Sequence, residues 1–232
     1  MGLFDLKANI IPGVDPDFGS LVDSMNKLKS IKGMNINKIC AAPSYYDAAN
    51  HDIESIIIEI QKEASKLDEF DIPELFSSIT YPINLKFDEF NDLKTINGTG
   101  YLLCQFPFYD LNKDFINKIK TLINQNYIPV LINLEQSFLN DKLNQIKELK
   151  SIGCLVSVDL YLYINNWSNT VNYCVRRLEK EYLIDIVTGF SKFENFDQEI
   201  HRFCEDSKIE EIKLREIYME ENPNLISSSS RR

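Results

Sequence analysis

The chain has 232 residues, with 25 Lys and Arg against 35 Asp and Glu, giving a net charge of −10. Hydrophobic residues make up 44% and aromatics 11%, enough apolar surface to offset the entropy lost on folding, so a largely disordered chain is excluded. The acidic balance argues against nucleic-acid partners, which need clustered Lys and Arg, and two histidines cannot furnish a His-rich multi-metal centre.

Seven short apolar runs alternate with amphipathic segments. Residues 4–11 read as the first strand. Leu21, Met25, Leu28 and Ile31 then recur at helical spacing, with Gly33 as the stop. Residues 38–42 form the second strand, and 53–67 a helix that Ile56 to Ile58 make broad on its buried side. Strands follow at 75–80 and 101–106, then a helix marked by Leu111, Phe115, Ile119 and Leu122. After the strand at 129–134, Ser137 is placed to cap a helix carrying Leu139, Leu143, Ile146 and Leu149, closed by Gly153. The last strands fall at 154–160 and 184–188. The acidic stretch 194–221 reads as helices with a solvated face.

Most of these strands are nearly continuous in apolar residues, as expected when both faces are buried. Strand–helix alternation without a break in composition predicts one α/β domain with a parallel sheet, closed as a barrel related to the (β/α)8 form. The domain is expected to span 1–226, with 227–232 as a disordered tail. No run reaches about 18 apolar residues, and the start of the chain lacks a basic segment followed by a hydrophobic one, so a cytoplasmic location is expected. The five cysteines (Cys40, Cys104, Cys154, Cys174, Cys204) include no CxxC pair and read as buried thiols. The sixth residue after each is Tyr46, Asp110, Leu160, Lys180 or Glu210, so the Cys-x5-Arg phosphatase loop is absent.

Asp5-Leu6-Lys7-Ala8-Asn9-Ile10-Ile11-Pro12-Gly13-Val14-Asp15 resembles the opening motif of the bacterial capsule-type tyrosine phosphatases, Asp-x-His-x-His followed by an apolar pair and Pro-Gly-Val-Asp. Similar echoes follow in order: Ala41-Ala42-Pro43-Ser44-Tyr45, Leu103-Cys104-Gln105-Phe106-Pro107, Pro129-Val130-Leu131-Ile132-Asn133-Leu134-Glu135-Gln136, and Glu221-Asn222-Pro223. That family consists of manganese-dependent members of the PHP (polymerase and histidinol phosphatase) superfamily. The resemblance therefore implies a distorted seven-stranded β/α barrel and a context of tyrosine kinases and surface polysaccharide in a bacterium.

The resemblance keeps the scaffold and loses the chemistry. The family's ligand positions fall on Lys7, Asn9, Ser44, Tyr81, Gln105, Asn133, and the stretch from Thr188 to Ser191, while its arginine falls on Gln136. Divalent ions are held by neutral imidazole and anionic carboxylate. A lysine ammonium has no lone pair to offer and repels the cation. The expectation is thus a catalytically inactive pseudophosphatase with no cofactor, acting as a binding, scaffold or regulatory protein. A manganese-dependent phosphatase with a remodelled site is the alternative.

Lys7, Glu135 and Gln136 are candidate pocket or anion contacts, with an internal Lys–Glu or Lys–Asp bridge at Lys7 the structural reading. Asn9, Gln105 and Asn133 are expected in a neutral hydrogen-bond network. Asp15 and Asp17, flanking Pro16, are explained by turn chemistry at least as well as by acid–base work. Tyr45, Tyr46, Phe108 and Tyr109 lie after strand ends and form a candidate surface for a protein partner, since aromatics concentrate in interface hot spots. No nucleic acid or membrane insertion is expected, and a homo-oligomer is possible.

Overall fold

The computed structural model describes residues 2–66, 72–90, 92–106, 113–136, 142–165 and 169–228. The apolar runs fold as β1 (Leu3–Ala8), β2 (Ile36–Ala41), β3 (Glu74–Ser77), β4 (Thr80–Pro82), β5 (Tyr101–Gln105), β6 (Ile128–Ile132), β7 (Leu155–Asp159) and β8 (Ile186–Thr188). Every ladder among them is parallel, in the orders β1-β2-β3 and β4-β5-β6-β7-β8.

The run at 75–80, expected as one strand, breaks in two. Its first half pairs with β2 and its second with β5, so the chain must step from one sheet to the other at Ser78 and Ile79. The step is pinned by hydrogen bonds from Ser78 N to Ala41 O (3.0 Å) and from Thr80 N to Pro43 O (2.9 Å). At the other join, between β1 and β8, a side chain does the work. Asp5, fully buried on β1, accepts N–H bonds from Gly189 (2.8 Å) and Ser191 (2.9 Å) just after β8, and from Lys7 (3.1 Å).

Helices cover the sheets: α1 (Leu21–Ile31), α2 (Tyr45–Ala48), α3 (Ile53–Ala64), α4 (Lys113–Asn124), α5 (Leu143–Ser151), α6 (Leu160–Asn165), α7 (Asn169–Lys180) and α8 (Phe196–Ser207). A reciprocal cap between Ser20 and Asp23 starts α1, with Ser20 N donating to Asp23 Oδ2 at 2.9 Å and Asp23 N to Ser20 Oγ at 3.3 Å. It buries Met25, Leu28 and Ile31. Its end differs from the expected Gly33 stop. A 3-10 turn continues over Lys32–Met34, and the left-handed residue is Asn35 (φ 55°), a type that tolerates this region. Gly153 (φ 106°) follows α5, where the chain turns back into β7. The proposed cap Ser137, and Leu139, lie outside the described residues.

The acidic C-terminal stretch is not simply a solvated face. It forms α8, α9 (Glu211–Lys213) and a π-helical segment (Leu214–Glu221), and it buries Ile200, Phe203, Leu214 and Met219 against the core. α10 (Asn222–Ser228) closes the described part of the chain. Asn222 and Asn224 tie this end down by donating from Nδ2 to Asp185 O (2.6 Å) and Gly2 O (3.2 Å).

Replacing Asp5 with Ala strands three buried N–H groups. We expect a loss of about 2–4 kcal/mol, read as a lower urea midpoint, with a smaller loss for Asp5→Asn, which keeps one acceptor oxygen. An unchanged midpoint in Asp5→Ala would show that the β1–β8 join does not depend on the carboxylate.

Candidate functional site

Alternation along β1 puts Asp5 and Lys7 on one face, with Asn9 continuing it just past the strand end. The chain after β6 contributes Asn133, in the left-handed region at φ 65°, and Glu135. β7 ends on Asp159, and the turn after β8 supplies Gly189, Ser191 and Lys192. These groups meet at the C-terminal mouth of the parallel strands, where this architecture gathers its functional residues.

Lys7 is at the centre. Its Nζ donates to Asn133 Oδ1 (3.0 Å) and to Asp159 Oδ2 (3.2 Å). Lys192 Nζ stands 3.6 Å from the same Asp159 oxygen. The other oxygen, Oδ1, accepts from Leu162 N (2.9 Å) and so caps α6. Gly189 makes room for this carboxylate: a Cβ there would lie 2.3 Å from Asp159 Oδ1, and its φ of 75° is itself costly for other residues.

Burial alone would raise the pKa of Asp159. Lys7, Lys192 and the Leu162 N–H outweigh it, holding this carboxyl below its ordinary value. Glu135 goes the other way. It is 1% exposed, and burial together with the Asp159 charge pushes its pKa up to about 8. Its Oε2 lies 3.5 Å from Asp159 N, while Oε1 has no hydrogen-bond partner among the described residues. At neutral pH Glu135 is therefore a neutral acid beside an ionised Asp159. Burial also raises Asp5, against the N–H groups of Ser191, Gly189 and Lys7.

Asp15 takes a turn role. Its Oδ2 accepts from both Ile10 N and Ile11 N at 2.7 Å, which folds the Pro-Gly-Val-Asp segment back on the end of β1. Burial pushes its pKa to about 6 despite those two donors.

The other expected site residues are dispersed. Ser44 caps α2, accepting from Asp47 N at 3.3 Å. Tyr81 is buried in an aromatic cluster with Tyr45, Phe87 and Phe90, and its hydroxyl accepts from Lys94 N (2.9 Å). Thr188 Oγ1 lies 3.3 Å from Ser157 Oγ. The neutral network expected of Asn9, Gln105 and Asn133 does not form: Asn133 joins a charged cluster instead, and neither Asn9 nor Gln105 hydrogen-bonds to it among the described residues. The bridge at Lys7 is to Asp159, with Glu135 acting on Lys7 only through space. Of the aromatic surface, Tyr46 is 61% exposed and Tyr45 is half-buried. Phe108 and Tyr109, and the side chain of Gln136, lie outside the described residues.

Sequence reasoning missed Asp159, Asp5 and Lys192. Asp159 had a signal, since it is the one carboxylate in an otherwise uncharged strand run. Asp5 was visible as the residue two before Lys7 on the same strand face. Lys192 gave no signal, because only the fold of the turn after β8 brings it to Asp159.

These residues do not fit a divalent metal. The ammonium of Lys7 lies against the carboxylate and amide oxygens that a cation would need. Among the described residues no three His, Cys, Asp or Glu side chains are grouped to hold an ion.

Two outcomes follow for stability. Glu135 and Asp15 bind a proton more tightly folded than unfolded, so their stabilising effect is complete below about pH 4 and is lost as pH rises through about 6 and then about 8. The Tm should fall between pH 5 and 8.5, and Glu135→Gln should flatten the upper part of that fall. For the central pair, Lys7→Met leaves Asp159 buried without its main counter-charge and should cost about 3–5 kcal/mol. In a double-mutant cycle with Asp159→Asn, the paired variant should recover a large part of the loss, and strict additivity would show that the two are uncoupled.

The family model for capsular polysaccharide synthesis proteins CpsB/CapC matches residues 3–195 of the chain. Among solved structures, that of the metal-dependent tyrosine phosphatases YwqE from Bacillus subtilis and CpsB from Streptococcus pneumoniae is similar at a TM-score of 0.79. The match has 19% identity and covers 98% of this chain and 95% of that one. The phosphotriesterase homology protein of Escherichia coli is similar at a TM-score of 0.57 and 10% identity, covering 98% and 99% of the two chains. A probable 2-pyrone-4,6-dicarboxylic acid hydrolase of Acinetobacter baumannii follows at 0.52 and 10%, with the same coverage. No curated protein sequence matches significantly. The parallel α/β fold is thus shared with these three structures, and the extent of the family match makes the chain a member of the CpsB/CapC capsular polysaccharide synthesis family.

Proposed function

We propose that this CpsB/CapC member has given up metal-dependent phosphotyrosine hydrolysis and works as a binding or regulatory protein in a bacterial system for envelope polysaccharide. The observation that carries this reading is the Lys7 ammonium, bonded to Asn133 and Asp159 at 3.0 and 3.2 Å where the family motif has a histidine. Hydrolysis of a phosphate ester by this family's chemistry needs an ion to lower the pKa of water and to clamp the phosphoryl oxygens. A fixed ammonium can attract an anion, but it cannot ionise water in that way. Glu135, protonated at neutral pH, is not poised there as a general base.

The reading includes a cytoplasmic protein with a protein partner. In its favour, no described helix is long and apolar enough to cross a membrane. The exposed Tyr46 beside Tyr45 supplies an aromatic contact at the same end of the fold as Lys7, at the entry to α2.

Purified protein given manganese and a phosphotyrosine peptide should release no phosphate above a protein-free control. Manganese-dependent turnover that disappears in Glu135→Gln would instead establish the alternative, a phosphatase with a remodelled site.

A further inference from the structure

Beside the Lys7 cluster opens a cavity of about 240 Å³, lined by Asn9, Asp17, Phe18, Lys27, Tyr161 and Lys192. The chain that carries them leaves the C-terminal ends of β1, β7 and β8, with Lys27 reaching in from α1. Its polar groups are mostly donors, and of these the Lys27 ammonium and the Asn9 amide have no hydrogen-bond partner among the described residues. The Lys27 ammonium makes no hydrogen bond or ion pair among the described residues and feels only the longer-range pull of Glu194 and Asp5. It is nonetheless partly withdrawn from water, and this burial lowers its pKa. The Lys192 ammonium has the Asp159 oxygen at 3.6 Å and the Tyr161 ring at 5.0 Å, and it donates no hydrogen bond among the described residues. The Asn9 amide is likewise without a partner among the described residues. Asp17 is the one carboxylate in the lining, and it is exposed.

An ammonium half out of water without a counter-ion costs free energy that an anion would return. We infer that this cavity is a metal-independent site for a small dianionic oxyanion, of phosphate or dicarboxylate type, held between Lys27 and Lys192 with the Asn9 amide as a third donor. Against the one exposed carboxylate, Asp17, the two ammoniums leave the lining cationic, and a dianion can meet both where a monoanion such as acetate meets one. The Tyr161 and Phe18 side chains in the lining leave space for a small apolar fragment carrying the oxyanion. The inference rests on the non-catalytic reading above, because the charge that attracts the ligand comes from lysine and not from a bound metal.

Calorimetric titration in EDTA, at fixed ionic strength, tests this on the full chain with inorganic phosphate, malonate and acetate. Phosphate or malonate should bind saturably at one site, acetate should bind more weakly, and Lys27→Gln should weaken the dianion by about tenfold or more. Because the Lys27 ammonium has no hydrogen-bond or ion-pair partner among the described residues, the same variant should keep or raise the Tm in anion-free buffer, which separates loss of the site from loss of the fold. No binding, or binding unchanged in Lys27→Gln, overturns the inference while leaving the non-catalytic reading intact. Binding that appears only when manganese replaces EDTA overturns both.

Discussion

A half-buried lysine held between an amide and a buried carboxylate is the interaction on which this site depends. Asp159 has no exposure to solvent, and a lone buried carboxylate would protonate or open the fold. Lys7 keeps it ionised. The ionised Asp159 in turn caps α6 and raises the pKa of Glu135, so that one of the two acids is charged and the other neutral. The same carboxylate sets the backbone of the next strand turn, since only glycine fits at 189 beside it. In a metal enzyme an ion would cross-link strand ends of this kind. Here β1, β6 and β7 are joined at that place by Lys7, Asn133 and Asp159.

The division between scaffold and chemistry is visible in what each retained residue does. Asp5 stands where the family motif has its first aspartate, and it bonds Gly189 and Ser191 across the β1–β8 join. Asp15, from the Pro-Gly-Val-Asp segment, secures the backbone of Ile10 and Ile11. Both act on the backbone and need no metal. At the positions where the resemblance places the family's imidazoles, this chain has Lys7, Asn9, Ser44 and Asn133. Of these, only Lys7 and Asn133 meet, while Ser44 has become a helix cap.

Much of the fold was legible because the strands are apolar on both faces and the helices carry apolar stripes at 3–4 spacing. The limits were set by effects that lie outside any one segment. Residues 75–80 look like one strand, and they split because their two halves find different partners. Gly33 looked like a helix stop until a further 3-10 turn moved the stop to Asn35. Which residues occupy the ligand positions that the resemblance assigns could be read one by one from the motifs. What those residues bond to could not, because Lys7 is 152 residues from Asp159 and its choice of Asp159 over Glu135 is a matter of register at the strand ends. The cavity lysines were still less visible: Lys27 sits in an ordinary helical surface pattern, and only the packing of α1 against the strand ends takes it partly out of water.

Thermal unfolding in EDTA and across a manganese titration is the most direct measurement of whether Lys7 has taken a metal's place. A site filled by an ammonium gains nothing from a cation, so the Tm should be the same in EDTA and in millimolar manganese. A Tm that rises with manganese and levels off, as mass action requires of an ion bound only by the folded state, would contradict it.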